Sequence, residues 1–257
     1  MRILYLQLTL LLYAFLFIQN AKGQEQTLAN NRFRIGAQIP LYYSISYEEK
    51  IWENLNLGIQ GGWLKDPFTQ ILIKEAKRRD LDNELGTIIQ DQFSLGYNVQ
   101  PFLNYRFKHF YIGASYSYTS LTATDLPYDK LANIYNIDLN SYLNNNPFFL
   151  LLLKDIELNS ILHLPGLFVG REFQFNKPHF MLGVEIGFQK IVATKNALTY
   201  GANKSEMPII ADVVNNDLND YYLEEGNIPS LNVYFVYRFK KSLNRAISRL
   251  SKSSTKE

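Results

Sequence analysis

Long stretches of this chain alternate apolar with polar residues, and no charged residue falls on the apolar side of the clearest ones. One such stretch is the run Phe93, Leu95, Tyr97, Val99, Pro101, Leu103 and Tyr105, which alternates with polar residues and glycine. A period of two residues is that of a β-strand with one apolar and one polar face. Because the pattern recurs along the chain, it predicts an all-β protein.

The N-terminus has the pattern of an export signal. Arg2 precedes an apolar stretch over residues 3–18, and Gly23 closes a small-x-small motif. This order predicts a secretory signal peptide over residues 1–23, cleaved before Gln24. A membrane anchor is the weaker interpretation, because the apolar stretch is shorter than the roughly 20 residues that span a bilayer.

Composition narrows the ways in which an exported chain of this kind could enter a membrane. The chain contains no cysteine, which excludes a lipidated cysteine, disulfides and thiol chemistry. After residue 23 the most apolar run, Pro147 to Leu153, is too short for a membrane helix. A mature protein that is integral to a membrane must then be a closed β-barrel. Abundant Tyr (18) and Phe (17) suit the aromatic girdles of such barrels.

The alternating stretches give a strand count. The first covers residues 32–49 and is divided near Ile39-Pro40, because proline is poorly tolerated inside a central strand. The others cover residues 55–64, 92–105, 110–119, 161–173, 179–190 and 230–239. We therefore predict a closed up-and-down antiparallel transmembrane β-barrel of about eight strands. It occupies residues 32–239 and follows an N-terminal linker at 24–31.

The connections between these stretches alternate in length. The short ones cover residues 50–54, 106–109 and 176–178, and the long ones cover 65–91, 121–160 and 193–229. Outer-membrane barrels have short periplasmic turns and long extracellular loops, so both termini are expected in the periplasm. Apolar residues at helical spacing predict a short helix within residues 68–89.

The polar face of the strands is the expected lumen. A soluble lipocalin-like barrel also alternates, but its polar face is usually rich in charge, whereas here that face is mostly Gly, Ser, Asn and Gln. The inward charges are Arg34, Glu48, Glu185 and Arg238. We expect them to form a buried network by pairing with one another, in preference to lining a gated narrow conduit. A barrel of eight strands leaves little room for a channel.

Several segments resemble a known family. They are the opening IGAQIPLYYSISYEE, the hairpin NYRFKHFYIGASYSY, the LPGLFVGREF segment and the YFVYRF ending. The mature chain resembles the outer-membrane β-barrels common in Bacteroidetes, labelled porin-family or OmpA-like barrels. The resemblance implies an envelope location in contact with outer-membrane lipid and the barrel-assembly machinery. Tyr237 and Phe239 resemble the C-terminal aromatic signal of such barrels, although residues 240–257 follow them.

No catalytic, cofactor or metal site is evident in the sequence. A lipid-modifying enzyme, one alternative for a small outer-membrane barrel, needs a nucleophile and a base near the outer rim. His109 and His179 fall at short turns, and Pro165 stands where a serine would follow His163. Ser160 lies nearby, but nothing marks it as activated. The acidic residues of the long loops lack calcium-loop spacing, so we predict no catalytic, cofactor or metal site.

The C-terminal tail, residues 240–257, is basic, with six Lys or Arg against Glu257. The rest of the mature chain is mildly acidic, which argues against nucleic-acid binding. Leu243, Ala246, Ile247 and Leu250 have helical spacing, so the tail is either an amphipathic helix or a frayed segment. A helix here would contact a periplasmic partner or inner-leaflet headgroups.

These observations predict an integral outer-membrane barrel without catalytic activity, which has a structural role or binds partners through its loops. A narrow or gated channel for small solutes is the alternative, and a lipid-modifying enzyme is less favoured.

Overall fold

The structure is a computed structural model that describes residues 31–107, 110–137, 155–175, 179–201, 205–206 and 210–239. The expected signal peptide and basic tail lie outside these residues, as does His109. The strands are β1 Asn31–Ile39, β2 Tyr42–Lys50, β3 Leu55–Leu64, β4 Phe93–Arg106, β5 Phe110–Ala123, β6 Glu157–Gln174, β7 Phe180–Lys190, β8 Ala193–Tyr200, β9 Ser205–Glu206 and β10 Asn227–Phe239. The helices are α1 Phe68–Lys77, α2 Asn83–Asp91, α3 Tyr128–Ile134 and α4 Ile210–Glu225.

Eight of the strands close into an antiparallel barrel. Their order around the barrel is β1, β2, β3, β4, β5, β6, β7 and β10, and β10 pairs with β1 to complete the ring. Each strand therefore lies beside its neighbour in sequence, apart from the insertion of β8, β9 and α4 between β7 and β10. The predicted closed up-and-down barrel of eight strands is confirmed.

Division of the first alternating stretch at proline is also confirmed. β1 ends at Ile39 and β2 begins at Tyr42, so that Pro40 and Leu41 form the turn. The Leu41 N–H donates a hydrogen bond of 2.7 Å to the Gln38 carbonyl oxygen. Proline has no N–H to donate to a ladder, and this turn places it where none is needed.

The predicted long loop over residues 193–229 contains regular structure. β6 pairs with β7 only from Gly166 onward, so its first half projects past the end of β7. β8 pairs with that free half, from Glu157 to His163. Its buried Leu198 belongs to the same apolar cluster as Val214 and Leu218 of α4. An unpaired strand edge favours such an addition because its N–H and C=O groups need partners.

The helices gather at the end of the barrel that carries the long connections, and we call α1 to α4 together with β8 the helical cap. The helix predicted within residues 68–89 is confirmed and is in fact two helices. The Asp82 side chain caps α2 by accepting hydrogen bonds from the N–H groups of Glu84 and Leu85. One apolar core joins α2, α3, α4 and β8 to the ends of β5 and β6. Its buried members are Leu85, Ile88, Ala123, Leu126, Tyr128, Leu131, Ala132, Ile156, Leu158, Leu198, Ile210, Ala211, Val214 and Leu218.

Strand alternation separates the two faces of the wall, as the sequence predicts. Outward residues are apolar and exposed, and they include Ile35, Leu57, Ile59, Val99, Leu103, Ile112, Val169, Phe188, Val233 and Phe235. Inward residues are buried and mostly polar, and they include Gln38, Ser44, Ser46, Gln60, Asn98, Gln100, Asn104, Ser117, Gln189 and Asn232.

Glycines on the inner face accommodate aromatic rings from the neighbouring strand. Gly58 lies opposite Phe102 in the strand register, and a Cβ at Gly58 would collide with that ring. Gly183 has the same relationship to Tyr234. The rings fill the lumen only because these positions lack a side chain, so glycine is a packing requirement here.

Candidate functional site

Charged side chains meet inside the barrel at the end opposite the helical cap, where the connections after β2, β4 and β6 lie. They come from the start of β1, the ends of β2, β4, β6 and β10, and the middle of β7. The members of this lumen charge network are Arg32, Arg34, Glu48, Arg106, Glu172, Glu185 and Arg238.

Glu48 is the most heavily engaged carboxylate. Its side chain is 1% exposed and accepts a hydrogen bond of 2.7 Å from Arg32 Nη1. Arg34 Nη2 bonds its other oxygen. Arg106 donates to Glu48 Oε1 through both Nε, at 3.0 Å, and Nη2, at 2.8 Å. Three guanidinium groups thus share one buried carboxylate.

Glu172 carries the network across the lumen. Arg106 Nη2, which bonds Glu48, also lies 2.9 Å from Glu172 Oε1. Arg238 Nη2 approaches Glu172 Oε2 at 3.4 Å. Glu48 is on β2 and Glu172 is on β6, four strands apart in either direction around the ring of eight. A chain of charged hydrogen bonds therefore spans the barrel.

Aromatic rings form the layer next to these charges. The Arg34 guanidinium lies 4.8 Å from the centre of the Tyr234 ring and 5.5 Å from that of Tyr111. The Tyr111 hydroxyl donates to Glu185 Oε2 at 3.0 Å and shares a hydrogen bond with the Tyr234 hydroxyl. Arg34 Nη1 lies 3.9 Å from Glu185 Oε2.

The network holds more positive than negative side chains, since four arginines face three glutamates. Ring faces attract cations, and the rings around Arg34 therefore compensate part of the excess charge. Removing one partner from such a group leaves a buried charge uncompensated, which is strongly destabilising.

Above the network, amide and hydroxyl groups continue to fill the lumen. The Tyr42 hydroxyl donates to Gln100 Oε1 at 2.5 Å, and Gln60 Nε2 donates to Gln38 Oε1 at 3.1 Å. Gln189 Nε2 donates to the Ser117 hydroxyl at 3.1 Å. These bonds join strands that are not neighbours in the ring, as the Tyr42 to Gln100 bond from β2 to β4 illustrates.

The structure brings three of the four charged residues singled out from the sequence into contact. Arg34 contacts both Glu48 and Glu185, whereas Arg238 contacts Glu172.

Sequence reasoning missed Arg32, Arg106 and Glu172. Arg32 shares the inward parity of Arg34, and Glu172 continues the inward series of Phe168 and Gly170, so strand parity was the available signal. Arg106 falls within the predicted turn at residues 106–109, but it is the last residue of β4.

The two described histidines have ordinary partners. His163 Nδ1 lies 2.8 Å from the Tyr116 hydroxyl on the neighbouring strand, and His179 Nδ1 lies 3.2 Å from the Arg238 carbonyl oxygen. Tyr237 and Phe239 stack on each other, with ring centres 6.2 Å apart. No helix among the described residues is long and apolar enough to cross a membrane.

Comparison with solved structures finds similar barrels at low sequence identity. One is a major outer membrane protein from Thermus thermophilus, with 17% identity and a TM-score of 0.44 over 81% of this chain and 99% of that one. Two more are Acinetobacter baumannii CarO, with 10% identity and a TM-score of 0.36, and CarO2, with 11% identity and a TM-score of 0.32; each match covers 84% of this chain and 100% of that one. No protein-family model and no curated protein matches the chain.

Proposed function

We propose that this protein is an integral outer-membrane β-barrel whose closed lumen conducts no solutes and whose helical cap acts as a binding element. The observation that carries the proposal is the bonding of Arg106 to both Glu48 and Glu172 across the lumen. A barrel crossed by buried charged hydrogen bonds is a rigid support, because opening it would leave charges unpaired in a confined space.

Lipid is the solvent that best accounts for the outer face. Phe235, Ile59 and Ile112 are each more than half exposed on the barrel wall. Soluble proteins rarely expose continuous apolar patches larger than a few hundred Å². Exposed aromatic residues stand at both ends of this belt, with Tyr105 toward the short turns and Trp63 toward the cap, as in outer-membrane girdles.

Orientation and partners follow from the rules for such barrels. The end opposite the helical cap, with the connections after β2, β4 and β6, would face the periplasm. Both termini and the basic tail at 240–257 would then be periplasmic, and the helical cap would face outward. Tyr237 and Phe239 would be read by the barrel-assembly machinery during insertion. A tail helix would contact a periplasmic partner or inner-leaflet headgroups. Membership of the Bacteroidetes-type barrels and the signal peptide at 1–23 belong to the same proposal, as does the absence of catalytic activity.

Planar-bilayer recording of the full mature protein tests the closed lumen. The protein would first be refolded in detergent and checked by heat-modifiable gel mobility. We expect the mobility shift of a folded barrel and no conductance steps. Discrete steps that are abolished by boiling the sample before insertion would overturn the closed lumen and favour the narrow or gated channel.

A pair of arginine variants makes the recording specific to the network. Arg106→Ala removes the side chain that crosses the lumen, and Arg78→Ala removes an exposed arginine of the cap. We expect brief small conductance events from Arg106→Ala and none from Arg78→Ala. Identical silent traces from both variants would show that the amide layer closes the lumen without the network.

A further inference from the structure

A cavity of about 290 Å³ lies where the helical cap meets the mouth of the barrel. Leu64, Leu162 and Leu164 line it from the barrel strands, and Ile73 and Leu218 line it from the cap. Its volume is at the lower end of the range of about 300–1,000 Å³ that is typical of small-molecule sites. Most of its lining is apolar, so an apolar occupant would gain from leaving water.

The charged residues of the lining balance one another. Glu75 pairs with Arg78 at 3.0 Å. Arg79 Nη1 donates to the carbonyl oxygens of Glu225 and Asn227, at 3.2 and 2.7 Å, and so ties the segment after α1 to the end of α4 and the start of β10. Two acidic and two basic residues line the cavity. The lining therefore carries no net charge that would hold an ion.

The tyrosines of the lining are neutral as well. The Tyr221 hydroxyl donates to the Ala76 carbonyl oxygen at 3.1 Å. Burial raises the pKa of Tyr221 and of Tyr222, so both phenols keep their protons at neutral pH.

The cavity has an apolar entrance on the membrane side of the cap. Ile39 and Ile71 both line the cavity and are both exposed, at 36% and 42%. Ile39 lies on the outward, apolar face of β1, directly before the short turn at Pro40 and Leu41. A molecule dissolved in the outer leaflet would therefore reach the cavity past these two apolar side chains.

We propose that the cavity binds an uncharged, mostly apolar small molecule. This inference rests on the proposed role of the helical cap as a binding element, and it names the class of ligand. Apolar contact with the leucines supplies the attraction.

Two dyes with the same aromatic skeleton test the class of ligand. N-phenyl-1-naphthylamine is neutral and has one N–H donor, whereas 1-anilinonaphthalene-8-sulfonate carries a sulfonate. Each would be titrated by fluorescence into the full mature protein in lipid nanodiscs, with empty nanodiscs subtracted. We expect saturable binding of one neutral dye per chain, and binding of the sulfonate about tenfold weaker or more, because an ion would lose its hydration in an uncharged cavity.

Two variants on β6 test where the dye binds. Leu164→Trp fills the cavity, and Leu167→Trp adds the same side chain on the outer wall, where Leu167 is 68% exposed. Saturable binding should disappear in the first and remain in the second. Binding that is equal in both variants, or that never saturates, would overturn the proposal.

The comparison of the two dyes on the wild-type protein is the deciding test if Leu164→Trp fails to fold. Equal affinity for the neutral dye and for the sulfonate would overturn the proposal. A wild-type protein that shows the gel shift and no conductance but binds no dye would lose this inference and keep the proposed function.

Discussion

Glu48 and Glu172 lie on opposite strands of the barrel, β2 and β6, and accept hydrogen bonds of 2.8 and 2.9 Å from the same nitrogen of Arg106. The three side chains therefore link opposite sides of the barrel wall. Since both carboxylates are nearly fully buried, with exposed fractions of 1% and 5%, water does little to screen these bonds.

Substitution of Glu48 tests the energetic importance of the network. Glu48→Gln keeps the size of the side chain but removes the charge shared by Arg32, Arg34 and Arg106. We expect the free energy of unfolding to fall by about 3–5 kcal/mol, because three buried cations lose their main partner. Urea unfolding in lipid vesicles, followed by gel mobility, measures the change.

The matched control for that substitution is Glu53→Gln, at an exposed position in the turn after β2. It should change the free energy of unfolding by no more than about 0.5 kcal/mol. Equal effects of the two substitutions would contradict a stabilising role for the network.

Glycine packing predicts a contrast between two positions on the wall. A Cβ at Gly183 would collide with the Tyr234 ring, which is itself held against Arg34. Gly183→Ala should therefore destabilise the barrel by about 1–3 kcal/mol. Gly61 faces outward, and a Cβ there would meet nothing within 4 Å, so Gly61→Ala should be close to neutral. Thermal unfolding of both variants in the same detergent decides the matter, and a larger loss for Gly61→Ala would refute the packing.

The apolar outer face of the barrel wall predicts that a charged residue placed there destabilises the protein. Phe235 is 60% exposed on the wall, and Phe235→Arg should reduce stability by about 2–4 kcal/mol if lipid covers it. Val213 is 44% exposed on α4 in the cap, and Val213→Arg should be tolerated within about 0.5 kcal/mol. Unfolding in vesicles compares the two. Tolerance of Phe235→Arg would place this face in water and remove the membrane assignment.

The cap should unfold locally when its internal bonds are cut. The Tyr135 hydroxyl donates to Asp217 Oδ2 at 2.7 Å and joins the end of α3 to α4. Tyr135→Phe should cost about 0.5–1.5 kcal/mol, as loss of one hydrogen bond does. Hydrogen exchange should show faster amide exchange in α4 and no change in the barrel strands. Faster exchange across the whole barrel would contradict an independently packed cap.

The same hydrogen bond gives the cap a dependence on pH. Burial first, and then the bond to Asp217, raises the pKa of Tyr135 above its ordinary value of about 10. The folded cap therefore holds the phenolic proton more tightly than the unfolded chain does. Its contribution to stability is complete below about pH 10 and is lost as the pH rises further. The protection of α4 amides from exchange, relative to the unfolded chain, should therefore fall above that pH. The fall should be smaller in Tyr135→Phe.

Local alternation made much of the barrel predictable. The inward parity of Arg34, Glu48 and Glu185 could be read from their neighbours, because successive side chains of a strand point to opposite faces. The division at Pro40 followed from the missing N–H of proline. The aromatic partners of Gly58 and Gly183 could not be read in the same way, because a glycine in a strand does not reveal which neighbouring side chain covers it.

Contacts across the lumen depend on strand register around the whole ring. Arg106 looked like a turn residue because hairpin ends are poorly determined by alternation. Arg32 and Glu172 had the right parity, but parity does not give the height of a side chain in the barrel. The pairing of β8 with β6 could not be predicted either, because it depends on how far β6 extends beyond the end of β7.

The sequence by itself determined which residues face the lumen and which face outward, because that choice depends only on neighbouring residues in one strand. It also predicted about eight strands for the wall. Only the tertiary structure decided that one arginine joins Glu48 to Glu172 and that a cap closes over an apolar cavity. Those features require strands far apart in sequence to meet at a set stagger, and the stagger is fixed by closure of the ring as a whole.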